Sequence, residues 1–237
     1  YDAKAGMYVR ELNHYSDKAY YFVSESEDGQ MLMQEALEAG EATTQSQHYT
    51  AFILHENDWV NLGTTGRECF GESFISASQQ HFKFDIGEHF VSDETSQMMV
   101  EFVVRNSLST SCQVYLNDHN IGVMSFPRIS PDDNYNYGDL KSLSKSFKAN
   151  TSIIDIALDY RNMGYTPKAA YLDKITLNVR KKLSGKQPVL LFRDPLGLGY
   201  QQVKEYQISE AGENHIVLDI SKNTEPCIVP TYMKDGK

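Results

Sequence analysis

Apolar side chains recur at every second position in one short run after another, and that period constrains the chain more than any other feature. Phe82, Phe84 and Ile86 alternate with Lys83, Asp85 and Gly87. Cys112, Val114 and Leu116 alternate with Gln113, Tyr115 and Asn117. Ile154, Ile156, Leu158 and Tyr160 share one face of a further run, with Ile153, Asp155, Ala157 and Asp159 on the other. A period of two sends alternate side chains to opposite faces of a β-strand, and the apolar face then has to be covered by a second sheet. Residues 48–55 and 171–179 read the same way. Residues 98–104 are nearly continuously apolar, interrupted by Glu101, as in a strand covered on both faces or one at the core of a sandwich. Asn117-Asp118-His119-Asn120 is a tight turn between two such runs, which predicts a hairpin. Many short strands joined by polar turns predict an all-β fold, an antiparallel jelly-roll-like sandwich.

The sandwich is expected over residues 76–184. Residues 1–75 form an N-terminal β segment, with strand-like sequence at 7–12 and 19–23. Residues 31–39, MLMQEALEA, are the best helix candidate and stop at Gly40; a partly helical loop is the alternative. Residues 130–138, SPDDNYNYG, are a loop, followed by strands at 146–150 and 152–160. Residues 185–237 add strand-like runs at 189–192, 203–208 and 215–220.

The net charge of −10 argues against a protein held to nucleic acid by phosphate contacts. No apolar run approaches the roughly 20 residues that span a bilayer, so no membrane span is expected. Cys69, Cys112 and Cys227 lie far apart without metal-ligand spacing; at most one disulfide can form, and Cys112 suits a buried hydrophobe. The seven histidines include no HExxH pair. Oxygen ligands crowd the loop at Asp132, Asp133, Asn134, Asn136 and Asp139, so Asp132, Asp133 and Asp139 are a weak Ca²⁺ candidate beside the plainer reading of a solvated loop. No EF-hand spacing is present. Tyr135, Tyr137, Tyr165 and Tyr200 are candidate stacking residues for sugar rings, or loop packing. No catalytic residue and no cofactor is assigned.

One stretch, 61–74, NLGTTGRECFGESF, carries two glycine turns around an Arg-Glu pair and ends each corner in an aromatic. Asn61, Gly66, Arg67, Gly71 and Glu72 are its structural motif; an arginine fork suits the pinning of such a loop, and a docking surface is the functional alternative. Preceded by His55-Glu56-Asn57-Asp58-Trp59, it resembles the E-x-D…N-L…S-G-R-x-W-x-G-E-x-F signature of the PorU family, the gingipain-related sortases of the Bacteroidota type IX secretion system. Cys69 stands where that pattern has Trp. Asn13 to Phe22 resembles the family's N-x-Y-S-D-x-x-Y-Y-F, and 171–183 its W-L-D-Y-I-x-L-N-x-R-x-x-L. Residues 190–194, LLFRD, and 217–221, VLDIS, are similar to its L-x-F-R and W-D-V-T, with Leu218 in place of Trp.

The resemblance runs from about Tyr8 to Ser221 and covers the family's β-rich, non-catalytic region. It implies a piece of a longer secreted protein, whose leader would lie upstream and whose Cys-His peptidase domain would follow. It further implies that the parent removes C-terminal signals from cargo and attaches the cargo to surface lipopolysaccharide, at the outer face of the outer membrane, with PorV, PorQ and PorZ-like partners. A carbohydrate-binding module of a secreted bacterial protein is the competing class.

Overall fold

The computed structural model describes residues 1–10, 34–35, 40–63, 68–162, 167–194, 203–212, 214–221 and 226–233. Among these residues the chain forms strands and no helix: β1 (Gln34–Glu35), β2 (Thr44–Ser46), β3 (His48–Glu56), β4 (Gln79–Asp85), β5 (Ser96–Arg105), β6 (Thr110–Leu116), β7 (His119–Phe126), β8 (Asp139–Phe147), β9 (Ile153–Arg161), β10 (Ala169–Lys182), β11 (Lys204–Tyr206), β12 (Leu218–Asp219) and β13 (Cys227–Ile228). They fall into two compact units, residues 1–10 with 50–181, and residues 11–49 with 182–237.

Two four-stranded sheets, ordered β3-β10-β5-β8 and β4-β9-β6-β7, make the first body. β10 with β5, β5 with β8, β4 with β9, β9 with β6 and β6 with β7 all pair antiparallel. The chain crosses between sheets at every step except the β6–β7 hairpin, which is the winding of a jelly roll. That hairpin turns on Asn117 and Asp118, both at positive φ (46° and 65°), a conformation their short polar side chains tolerate.

The core lies between the two sheets. Ile154, Ile156, Leu158 and Tyr160 of β9, Met98, Val100, Phe102 and Val104 of β5, and Ala170, Leu172, Ile175, Leu177 and Val179 of β10 are all buried in one cluster. Phe102 is its hub: its ring meets Phe74 edge-on at 4.9 Å and lies 5.9 Å from Tyr160 and 6.0 Å from Phe126. The Tyr160 hydroxyl donates to Thr110 Oγ1 (3.3 Å), so its polar end is satisfied inside the core. Cys112 is fully buried, and the Cys69 and Cys112 thiols are free.

The second unit holds the parallel pair β2–β11 and the small sheet β1-β13-β12. Tyr49, Phe192 and Tyr206 pack edge-on in sequence, with centroids 6.2 Å and 5.2 Å apart. Lys204 Nζ meets Asp194 Oδ2 at 2.5 Å, both side chains almost wholly buried, and lies over the Tyr206 ring.

Several local expectations change. Within the helix candidate, Gln34–Glu35 form a strand paired with Cys227–Ile228; the rest of 31–39 is outside the described residues. A ladder between residues nearly two hundred positions apart overrides local propensity there. Met7 makes a single bridge to Asp2, and 8–10 form no strand. The strand expected at 146–150 starts earlier, at Asp139, and ends at Phe147. Residues 189–192 are irregular, with Val189 and Leu191 exposed. The strands within 203–208 and 215–220 are short, β11 and β12. Strand-like residues 19–23 lie outside the described residues.

Candidate functional site

The 61–74 stretch closes a corner at the end of β3. Val60 and Phe70 exchange backbone hydrogen bonds (2.9 and 2.8 Å), and Trp59 N–H also donates to Phe70 O. Inside this loop the Asn61 side chain does two jobs: its Nδ2 donates to Glu68 O (2.9 Å) and its Oδ1 accepts from Gly63 N (3.1 Å). Beyond Phe70 the chain runs alongside β10: Gly71 N donates to Leu172 O (2.8 Å), Leu172 N to Glu72 O (3.0 Å) and Phe74 N to Ala170 O (2.8 Å). Phe70 and Phe74 are buried, whereas Trp59, the chain's single tryptophan, is 67% exposed.

Glu72 is the pin of the corner. Its Oε1 accepts from Asn57 Nδ2 (2.7 Å) and meets His55 Nε2 at 2.8 Å, while the His55 ring packs 5.1 Å from Phe82. Gly71 is required by close approach: a Cβ there would stand 2.9 Å from the Asn57 carbonyl oxygen and 3.1 Å from Asn57 Cβ. Of the five motif residues, the structure thus brings Asn61, Gly71 and Glu72 into one corner; Gly66 and Arg67 lie outside the described residues.

A charged cluster adjoins the corner on the outer face of the β10 sheet. Leu172 and Ile175 both face the core, and the three-residue step between them is a β-bulge that turns Asp173 and Lys174 outward. Lys174 Nζ lies 3.2 Å from Glu101 and 3.3 Å from Asp173. Burial pushes the Asp173 carboxyl up to about 6 against the pull of Lys174, with Glu101 and Glu56 adding to the rise. Burial works to lower the Lys174 amine, but Asp173 and Glu101 outweigh it and hold it above its ordinary value. In the sequence His55 and Asn57 stand ahead of the motif with nothing to pair them to Glu72, and the Asp173 cluster is not marked; the broken period at 172–175 was the available signal for the bulge.

The acidic candidates lie on the loop before β8, which meets the corner at Gly138: a Cβ there would stand 3.5 Å from Leu62 Cδ1. Asp133 Oδ1 caps its own loop, accepting from the backbone of Tyr135 and Asn136 (both 3.0 Å), and Asp139 pairs with Lys141 at 3.4 Å. Among the described residues no group of three or more His, Cys, Asp or Glu side chains is placed to hold a metal ion. Tyr135 is 95% exposed and Tyr137 about half exposed; Tyr165 and Tyr200 lie outside the described residues.

No family model and no curated protein matches the chain. Solved structures do. The crystal structure of dimeric latent PorU from Porphyromonas gingivalis superposes with a TM-score of 0.75 at 19% identity, over 86% of this chain and 20% of that one. The fold is PorU-like. The chain spans about a fifth of that PorU's length. The insecticidal delta-endotoxin Cry8Ea1 of Bacillus thuringiensis (TM-score 0.36, 15% identity, 55% of this chain and 24% of that one) is similar only in part. So is a family 35 carbohydrate-binding module from an environmental isolate (TM-score 0.34, 14% identity, 56% and 88%). Neither likeness carries an argument about a ligand.

Proposed function

We propose that this chain is the non-catalytic β-rich region of a PorU-like sortase of type IX secretion. In this role it positions a gingipain-type cysteine peptidase domain of the same parent protein. It also offers docking surface to attachment-complex proteins of the PorV, PorQ and PorZ kind at the cell surface. The parent protein removes C-terminal signals from secreted proteins and attaches those proteins to the surface, and this region carries out no reaction of its own. The observation that supports the reading is the PorU-like fold over 86% of the chain. Motifs in PorU order along 171–183 and at the Glu72 corner add to it. The test is binding of the purified chain to immobilised PorV-, PorQ- and PorZ-like proteins, with peptidase activity measured in parallel. Saturable binding to at least one of them without turnover is expected. Binding to none, or peptide cleavage by the chain itself, overturns the reading.

A second reading, a carbohydrate-binding module, is favoured by one observation, the nearly fully exposed Tyr135 ring at a loop end of the sandwich. Glycan-array binding that disappears in Tyr135→Ala supports it, and a blank array on the wild-type chain removes it.

A further inference from the structure

Residues 7–10 cross the outer face of the β3-β10-β5-β8 sheet, and the manner of their attachment is that of a ligand. The core face of β10 is Ile175, Leu177 and Val179. The intervening Thr176, Asn178 and Arg180 point to the opposite face, yet they too are buried. The Asn178 side-chain amide reads both backbone groups of Tyr8: its Oδ1 accepts from Tyr8 N (2.6 Å) and its Nδ2 donates to Tyr8 O (2.9 Å). Any residue except proline presents that pair, so the contact holds an extended backbone without reading its sequence.

Selectivity comes from the two sides of the clamp. Met7 is 1% exposed and is not part of the inter-sheet core. Arg10 Nη1 meets Glu56 Oε2 at 2.7 Å; the Glu56 side chain is only 4% exposed, and that of Arg10 is 41% exposed. Glu56, Asp173 and Glu101 gather three carboxylates against one ammonium, Lys174, so a second cation at position 10 is what this end of the face calls for. The Thr176 hydroxyl, one step along the same face from Asn178, is buried and has no hydrogen-bond partner among the described residues, so residues 1–10 leave one polar group of the floor unused. The segment belongs to the same compact unit as the sheet it covers, but the chain between them, residues 11–49, belongs to the other unit. Thirty-nine residues of sequence therefore separate Arg10 from Thr50, where that unit resumes.

We propose that the outer face of this sheet is a peptide-binding site for an extended segment with an apolar residue three places ahead of a basic one, occupied here in cis by Met7 to Arg10. The inference stands independently of the sortase reading. A protease site inserted between Arg10 and Glu11 of the full chain tests it. After cleavage, a fluorescent decapeptide of residues 1–10 is added and its anisotropy followed. Uptake by the cut chain and not by the uncut chain is expected. Decapeptides carrying Met7→Asp or Arg10→Glu, and a cut chain carrying Asn178→Ala, should each bind about tenfold more weakly or worse, as when a buried anchor or a buried charge partner is lost. A second route needs no cleavage: the uncut Met7→Asp/Arg10→Glu chain, its own segment stripped of both anchors, should take up the wild-type decapeptide. Failure of both chains to take up the peptide overturns the proposal, as does equal binding of all three peptides or loss of the fold on cleavage.

Discussion

Replacing Gly71 with alanine should destabilise the sandwich although it adds a single methyl group. The new Cβ would lie 2.9 Å from the Asn57 carbonyl oxygen, a distance that real Cβ atoms do not tolerate against backbone. Neither side can retreat freely. Residues 71–74 are tied to β10 by backbone hydrogen bonds at Leu172 and Ala170, and Asn57 is tied to Glu72 at 2.7 Å. Forcing an extra methyl into a packed site costs about 1–3 kcal/mol, and the reduced freedom of the unfolded chain returns roughly 0.4–1 kcal/mol. The net loss is on the order of 1–2 kcal/mol, which for a protein of this size lowers the melting temperature by about 2–8 °C. Gly122→Ala is the control. Its Cβ would come closer still, 2.6 Å from Leu143 Cδ1, but that atom is the end of a flexible side chain that can swing aside. Urea unfolding followed by circular dichroism should give Gly71→Ala a clearly lower midpoint than wild type and Gly122→Ala a smaller change. A Gly71→Ala protein as stable as wild type, or a Gly122→Ala protein that suffers more, would refute an argument based on backbone rigidity.

Acidification should stabilise the fold through Asp173. Its folded pKa, about 6, lies above the ordinary 3.8, so its contribution is complete below about 3.8 and is lost as the pH rises through 6. Between pH 7.5 and 5, wild type should therefore gain stability relative to Asp173→Asn in urea unfolding, and parallel pH profiles would contradict the assignment. In the second unit, Lys204→Met removes the cation facing buried Asp194 and should cost about 3 kcal/mol, while Lys204→Met/Asp194→Leu should recover most of the loss; a double variant no better than the single one would show that the pair is not the source. A thiol reagent at pH 8 should modify half-buried Cys69 in the folded chain and spare Cys112, which is fully buried and whose thiol burial pushes up to about 12. Peptide mapping that finds Cys112 modified without unfolding would count against its placement.

How much was legible in the sequence depended on where a strand sits. Strands β4, β6 and β9 alternate cleanly because one face is buried and the other meets solvent or a polar layer, so period two is written directly into them. Most of β8, Asp139 to Lys145, was missed because an edge strand that buries little carries little apolar signal: its side chains are polar except Leu140 and Leu143. Residues 189–192 erred the other way, since apolar content without alternation does not say whether a run pairs with anything. In the corner, Gly71 and Glu72 stood out as a motif. That Glu72 holds His55 and Asn57, and that Gly71 answers to the Asn57 carbonyl, required the chain to be folded back on itself.

Alternation by itself determined that this protein is built of stacked sheets, because a strand with one apolar face has no stable state in which that face stays wet. It also determined most of the core: Phe82, Phe84, Cys112, Val114, Ile154, Ile156 and Leu158 all point where their period says. Only the tertiary structure decided which strands are neighbours, what covers the outside of the β10 sheet, and why Asn178 and Arg180 are buried and Asp173 half-buried. Periodicity is a property of one segment, whereas burial of a polar face depends on a second segment arriving from far along the chain, and no local pattern records its arrival.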